Sequence, residues 1–510
     1  MSSTSAVRPW VKIVGIMLLV AAIGITLFKV SEKGTTDGKS SLPNLFSGKN
    51  KDVITIGVNT YGGFAPIVRA NGGLEPNENC DLYKKFGVKA KIVIQDDFTA
   101  GRAAFLKGDI DVLYCTTDVR SIELGSNSNM LNSKQFMVLN FSRGADALVV
   151  NKNIKTVSDL KNKKIAFAEG TASHTLLINV LETSGIDPKE IQMVKVGSGL
   201  EAADMYKANK VDAAVVWSPD DADLVASIPG TKVLFSTKQA SNIVTDGLIA
   251  KDTYIDNNKE KLTKLVEGIL WANSEMNNNK TFVEEAAKIF AKAFGTDESF
   301  IINAPSIIKF ATLGDEENLF GLNSSFTGVT ADQMYTRMSQ VYQQIGLTSK
   351  PLTWRKTCDT SIIEDLLSHN NLTNDQTAER SKVFTAPTAQ EAQKASISDK
   401  KVTIEFAWGS AVLDNDARNT IDNEFAPIAK QFANTRIRVE GNTDNTGSAA
   451  LNKGLSKQRA EAVVNYLVKE YRIDRNRFIA VGNGSQHAID AGSVGADKSF
   501  RTTDFQLLSE

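Results

Sequence analysis

The chain has 510 residues, 42% hydrophobic and 23% charged, with a formal net charge of −1. That length exceeds what one hydrophobic core sustains and implies two or three domains, and the near-neutral balance leaves no basic footprint for nucleic acid. Three distant cysteines (Cys80, Cys115, Cys358) and three scattered histidines (His174, His369, His487) make neither a disulfide framework nor a CxxC or histidine-based metal site, although one bridge stays open to an exported chain.

The first element is an uncharged apolar run at 13–28, flanked by Lys12 and Lys29 with Trp10 at its entry. It is shorter than the ~20 residues of a usual span, but snorkelling lysines and an interfacial Trp extend it. The competing reading is a cleaved signal peptide; its small-residue site, "VAA" at 20–22, lies inside the run rather than after it. No cysteine follows for a lipid anchor. A single uncleaved transmembrane helix is therefore expected. Arg8 and Lys12 put the N-terminus in the cytoplasm, with the bulk of the chain in the periplasm or other extracytoplasmic space. Residues 31–50, rich in Gly, Ser and Lys, read as a flexible tether.

From Val53 short apolar runs alternate with helical periods. "VITIGVN" (53–59), "KAKIVIQ" (89–95), "IDVLYCTT" (110–117), "KKIAFAEG" (163–170), "IQMVKVG" (191–197) and "VDAAVVWS" (211–218) are expected as buried strands. Between them lie helices such as "ASHTLLINVLETSG". This alternation predicts parallel sheets covered by helices, in two α/β lobes over 51–367, the second at about 147–240. Ligands of such sheets sit outside the carboxyl ends of the strands, here 61–64, 116–118, 169–173 and 217–218. The solute-site candidates are thus Tyr61, Gly63, Phe64, Thr116, Thr117, Glu169, Thr171, Ser173 and Trp217. Asp246 joins them where the chain would return to the first lobe. "GTAS" at 170–173 opens a helix whose free N–H groups favour an anion, so an unidentified small solute, with an anionic group, is expected. His174 reads as a helix-face residue, and Trp217 as either a stacking surface or core.

A polar stretch at 368–400 reads as a second linker, and a compact α+β unit follows at 401–510. It is expected to open with a strand at Val402 and to carry helices at 417–432 and from an N-cap at Ser456, with strands at "RIRVEG", "RFIAVGNG" and "DFQLL". In this reading Arg459 falls in the first helical turn, where the dipole disfavours a cation. With Asp444 it forms either a clamp for a zwitterion, carboxylate on Arg459 and ammonium on Asp444, or a structural salt bridge; chemistry alone leaves both open.

Thr443–Asp444, Asn452, Leu455–Ser456, Arg459–Ala460 and Val463, with Phe406, Ser410 and Leu413 upstream and Gly482 and Gly484 downstream, resemble the OmpA-like peptidoglycan-binding domain. The resemblance covers 402–510. It implies that Asp444 and Arg459 take the amino and carboxylate groups of diaminopimelate in the peptidoglycan stem peptide, in a pocket completed by Asn445, Asn452, Leu455 and Arg501. The sequence departs from the family pattern at Asn442 (usually His), Ala488 (often Pro) and Phe500–Arg501–Thr502 (usually Asn-Arg-Arg), which puts affinity in question.

"TIGVNTYGGFAPIV", "DDFTAGRAAFLKGDIDVLYCTT", the stretch from "TVSDLKNKK" to "LETSGI" and "AADMYKANKVDAAVVWSPD" resemble, in order and pattern, the type II periplasmic-binding-protein fold. The receptors in view are those for nitrate, sulfonates and thiamine-precursor-like ligands. The fold class expected is therefore a two-lobed α/β periplasmic-binding-protein-like module plus an α+β OmpA-like domain. Together they describe a membrane-anchored binding protein, sensing or scaffolding in an inner-membrane complex, with no metal, cofactor or catalytic residue assigned. The rivals are a receptor delivering solute to an ABC transporter and a stator-like structural tether, the latter without an ionisable group inside the membrane. A thiamine-pyrimidine-forming enzyme is disfavoured because that family's Cys-rich motif is missing.

Overall fold

Strands β1 (Val53–Val58), β2 (Lys89–Ile94) and β3 (Val112–Thr116) run parallel, joined through helices, as their apolar runs dictate. Each points its carboxyl end the same way. The computed structural model describes residues 52–349, 351–369, 371–407 and 409–509; the expected membrane segment at 13–28 and tether at 31–50 lie outside them. Among the described residues no helix is long and apolar enough to cross a membrane.

The first lobe is completed by β4 (Ser133–Ser142), β10 (Thr245–Lys251) and β11 (Ile308–Phe310), in the order β11-β4-β10-β3-β1-β2. The second lobe holds β5 (Asp146–Val150), β6 (Lys164–Ala168), β7 (Gln192–Val196), β8 (Ala213–Trp217) and β9 (Lys232–Ser236), in the order β7-β6-β8-β5-β9. The expectation of wholly parallel sheets is corrected at three strands, of which β11 is antiparallel to β4 at the sheet edge. β10 is antiparallel to both β3 and β4, and β5 to both β8 and β9. These are the strands by which the chain enters a new lobe, directly and without the helical crossover that parallel pairing requires.

The two crossings, at 143–145 and 237–244, are laced together. The Ser142 hydroxyl donates to Asp146 (2.7 Å) and lies 2.7 Å from the Thr237 hydroxyl, which also accepts from the Gly144 N–H (2.9 Å). Gly144, at φ 139°, supplies the turn in a region that L side chains avoid. Short paired crossings of this kind form a hinge.

The segment expected as a linker is fastened to the first lobe beyond residue 370. Asn374 donates to the Trp271 carbonyl (3.0 Å), Gln376 to Leu270 (3.3 Å), and the Glu379 N–H to Asp315 (2.6 Å). Alternate residues over 372–378 are half-buried by these contacts, while 379–390, apart from Phe384, stay exposed. The C-terminal domain starts earlier than Val402: β12 (Ser396–Val402) ends there and pairs with β15 (Thr503–Leu508). β13 (Ile437–Asn442) and β14 (Phe478–Gly484) complete a sheet ordered β12-β15-β13-β14. The single helix expected at 417–432 divides into Asn415–Glu424 and Ala426–Gln431, with Pro427 suited to the start of the second piece.

This domain rests on the second lobe. Phe235 and Phe432 meet edge-to-face at 5.6 Å, Asn242 donates to the Lys430 carbonyl (2.9 Å), and Ser398 donates to Thr183 (2.6 Å). Apolar residues of both bodies, Val180 and Phe235 with Phe432 and Val464 among them, belong to one continuous core.

Candidate functional sites

The strand ends of the two lobes meet at the boundary between them, the interlobe cleft. Thr116 ends β3, and Asp246 on β10 is its partner across the ladder; Asn140 on β4 flanks Asp246 on the other side. Tyr61, after β1, feels the charges of Asp246 and Asp146. Asp146 opens β5 opposite Trp217 at the end of β8. Asp118, just past β3, is reached by the Thr175 hydroxyl of helix Ala172–Glu182, so a lobe-one carboxylate is held by lobe two. Thr175 in turn meets the Tyr342 hydroxyl (2.6 Å).

Of the residues picked from sequence, Tyr61, Thr116, Trp217 and Asp246 are part-exposed in this region. Gly63 permits close packing, since any Cβ there would collide with the Asn140 amide and the Tyr61 ring. Phe64 is buried between Tyr61 (6.2 Å) and Tyr114 (5.8 Å), forming the wall behind the Tyr61 ring. The Thr117 hydroxyl is engaged inside the protein, accepting from Gln135 and Thr245 (both 2.9 Å). Thr171 caps the helix by accepting from the Ser173 N–H (3.3 Å), Ser173 is buried, and Glu169 pairs with Lys195 (2.6 Å). His174 packs against Phe167 (4.7 Å), and burial lowers its pKa to about 4, as befits a neutral helix-face residue.

Sequence reasoning did not single out Asp118, Asn140 or Asp146. A lone Asp at the head of the apolar "DALVV" was the available signal. Burial lifts the Asp118 carboxyl to about 7 and that of Asp146 to about 6. Asp246 rises well above the usual carboxylate range through burial and then through Asp146 and Asp118.

A separate groove of about 360 Å³ lies where helix Ala331–Gln344 meets the C-terminal domain, lined by Met334, Arg337, Asp422, Lys430 and Tyr471. It is remote in kind from the cleft, lacking strand ends and buried carboxylates.

In the C-terminal domain the long helix spans Ala449–Tyr471, capped by Ser448, whose hydroxyl accepts from the Leu451 N–H (3.3 Å). The expected cap at Ser456 is therefore corrected, and Arg459 lies in the third turn, beyond the reach of the dipole argument. Ser456 faces the sheet instead, accepting from the Gly484 N–H (2.9 Å). Gly441 and Gly482 are required by this contact. A Cβ on Gly441 would penetrate the Ser456 carbonyl oxygen, and one on Gly482 would lie 2.7 Å from the Ser456 hydroxyl.

Asp444 and Arg459 are both buried but do not bond one another. Asp444 takes Nε (2.7 Å) and Nη2 (2.6 Å) of Arg501. Burial pulls its pKa up, and hydrogen bonds from Thr446 and Arg501 more than reverse this, holding it below the usual range. Arg459 donates Nε to the Ser410 carbonyl (3.0 Å) and lies 4.9 Å over the Phe406 ring. Among the described residues its Nη groups make no hydrogen bond. Burial and then Arg501 depress its pKa, opposed by Asp444. Asn452 pins the loop by donating to the carbonyls of Asp444 (3.4 Å) and Thr446 (2.9 Å), while Asn445 is exposed, bridging to Gly495 and donating to Ser493 (3.4 Å). Leu455 is half-buried beside this loop's helix.

Comparison with known proteins follows this division. Residues 405–502 match the OmpA family model and residues 146–280 the NMT1/THI5-like model. The latter begins at β5 and ends just past the helix Asp252–Asn278, after the return to lobe one. Outer membrane porin F of Pseudomonas aeruginosa is 34% identical over 89 residues, 18% of this chain and 25% of the porin. A candidate aliphatic sulfonates-binding protein of Escherichia coli is 36% identical over 77 residues, 15% of this chain and 24% of the relative. The chain thus spans about a quarter of the length of either. The solved periplasmic aliphatic sulphonate binding protein of Escherichia coli aligns over 62% of this chain and 100% of its own, at 18% identity and a TM-score of 0.49. The chain carries an OmpA-family domain at 405–502 and an NMT1/THI5-like module matched at 146–280.

Proposed function

We propose that this protein is a tethered receptor of the cell envelope. A helix at 13–28 anchors it in the cytoplasmic membrane, the C-terminal domain grips diaminopimelate-type peptidoglycan, and the two lobes close over a small solute. The role is binding rather than catalysis, and its partners are the wall, the solute and an envelope complex at the membrane. The observation that carries the wall-binding part is the Asp444–Arg459–Arg501 set. Arg459 is anchored through Nε alone, with its terminal nitrogens free for a carboxylate, and Asp444 is kept ionised beside it for an ammonium group. Asn452 and Leu455 shape the pocket, with Asn445 at its rim. The observation behind the receptor part is the hinge with carboxyl-end groups converging on one cleft. Delivery to a transporter fits less well, because the wall-binding domain is packed onto the second lobe and restrains diffusion.

The test is sedimentation of the full chain with peptidoglycan. Arg459→Ala is expected to weaken co-sedimentation roughly tenfold, the loss of one charge-assisted partner. Walls with lysine in place of diaminopimelate should show a similar deficit. Unchanged binding to diaminopimelate-type walls by a folded Arg459→Ala protein, or equal binding of the parent to both walls, refutes the clamp.

A further inference from the structure

We propose that the interlobe cleft takes a small organic cation, an amine or amidine, rather than an anion; this rests on the cleft being the solute site. Asp118, Asp146 and Asp246 come from the ends of β3, β5 and β10 and act on one another through a shared low-dielectric space. Asp221, in the first turn of helix Asp220–Ser227, adds a further negative charge next to Asp146. Among the described residues no basic group acts on Asp146 or Asp246. The groups acting on Asp146 and Asp246 are carboxylates, Ser142 and Asn140, with no Lys or Arg among them. Arg120, two residues past Asp118, is engaged by Glu123 (3.0 Å) and the Ser133 carbonyl (3.2 Å). Arg143 at the hinge is engaged by Glu379 and the Ser241 carbonyl.

A second observation points to an occupant. Asn140 is fully buried, faces Asp246 across the ladder and abuts Gly63; its side chain acts on the Asp246 carboxyl, yet among the described residues neither its amide nitrogen nor its oxygen meets full hydrogen-bond geometry. Asp118 likewise leaves Oδ1 without a partner, although Oδ2 accepts from Thr175. Buried polar atoms left open are costly, and these suit a guest with several N–H donors. The spacing also sets the guest's size. Among the described residues no three His, Cys, Asp or Glu groups converge closely enough to hold a metal ion, whereas an ammonium or amidinium on a carbon frame spans a wider gap. Part-exposed Tyr61, beside Asp246 and Asp146, offers a π face to such a cation.

With the cleft empty, burial favours protons on these carboxyls, so a cationic guest displaces protons and binds more tightly as pH rises through about 6 to 7. The other titratable groups facing them are Tyr61, Tyr114, Cys115, Tyr342 and Glu123; burial holds the three phenols and the thiol neutral, and Arg102 and Arg120 keep Glu123 ionised.

Purified full chain is titrated with propylamine, putrescine and benzamidine, and in parallel with propanesulfonate and sulfate, by calorimetry and thermal melting at pH 6 and pH 8. At least one amine or amidine is expected to raise Tm, with affinity roughly tenfold higher at pH 8. Asp246→Asn and Asp146→Asn should each lose at least about tenfold of that affinity while melting no lower than the parent when free. Binding of propanesulfonate or sulfate alone overturns the cation assignment and leaves the receptor standing. No response to any probe overturns both.

Discussion

Asp118 belongs to lobe one by sequence and to lobe two by contact, since Thr175 supplies its hydrogen bond. Asp146 has the mirror position, opening lobe two while bonded to Ser142 of the hinge. Carboxyls raised by burial weaken the fold once pH exceeds their solution value, and the penalty is complete above the folded-state pKa. For Asp146, raised to about 6, the cost is on the order of 3 kcal/mol at neutral pH. Asp146→Asn removes it, so the variant should melt above the parent at pH 8, with the difference shrinking below pH 6 and vanishing near pH 4. His174, lowered to about 4, acts in the opposite direction over pH 6.5 to 4, but equally in both proteins. A pH series of paired melts checks this; a constant offset would mean that Asp146 does not titrate in the fold. Asp444 is the contrasting residue. Its depressed pKa contributes stability above the solution value, lost only as pH falls through the folded one.

The helix Ala449–Tyr471 shows how an element is positioned by what its neighbours omit. Its residues Ala460, Val463, Val464 and Leu467 are buried against the sheet, and the backbone of Ser456 comes so close to 441, and that of Lys457 to 482, that only glycine fits at either position. Gly441→Ala forces the helix off β13. Because the obstructing atom is backbone rather than a flexible side chain, the cost is expected to reach or exceed the ~1–3 kcal/mol typical of overpacking. Urea denaturation of the C-terminal domain, followed by the loss of peptidoglycan binding, measures it. Gly454, whose added Cβ meets nothing, is the control, and Gly454→Ala should be neutral or stabilising by up to about 1 kcal/mol. Equal loss from both variants would show that helix propensity, not contact, governs.

On the scale of the molecule, receptor and wall-binding domain are not beads on a string. The face of lobe two around Phe235 and Thr183 is covered by Phe432 and Ser398, and the polar segment between them is bonded to lobe one. A chain ended at residue 395 uncovers this apolar face. It is expected to bind a hydrophobic dye such as ANS and to melt below the full chain. A truncated chain that melts like its parent would show that the docking contributes nothing to stability. The crossing at 237–244 borders the same interface, with Asn242 bonded to the Lys430 carbonyl.

The apolar runs and helical periods were sufficient to locate β1, β2, β3, β6, β7 and β8 of the lobes and β13, β14 and β15 of the C-terminal sheet, but not β4, β5, β9, β10 or β11, because pleat and helix repeats are set by neighbours a few residues apart whereas these five strands are placed by long-range pairing. The Thr443–Asp444 to Arg459–Ala460 pattern marked the OmpA-family domain for the same local reason. Three things needed the tertiary structure. Ser448 rather than Ser456 caps the long helix, since Ser456 is consumed by the sheet glycines. Asp444 bonds Arg501, from the far end of the domain, rather than Arg459. And Asp118, Asn140, Asp146 and Asp246 come together only because β5 and β10 enter their sheets reversed. Charge convergence of that kind depends on which strand ends meet across a hinge, a long-range choice on which local periodicity carries no information, and it decided the electrostatic character of the cleft.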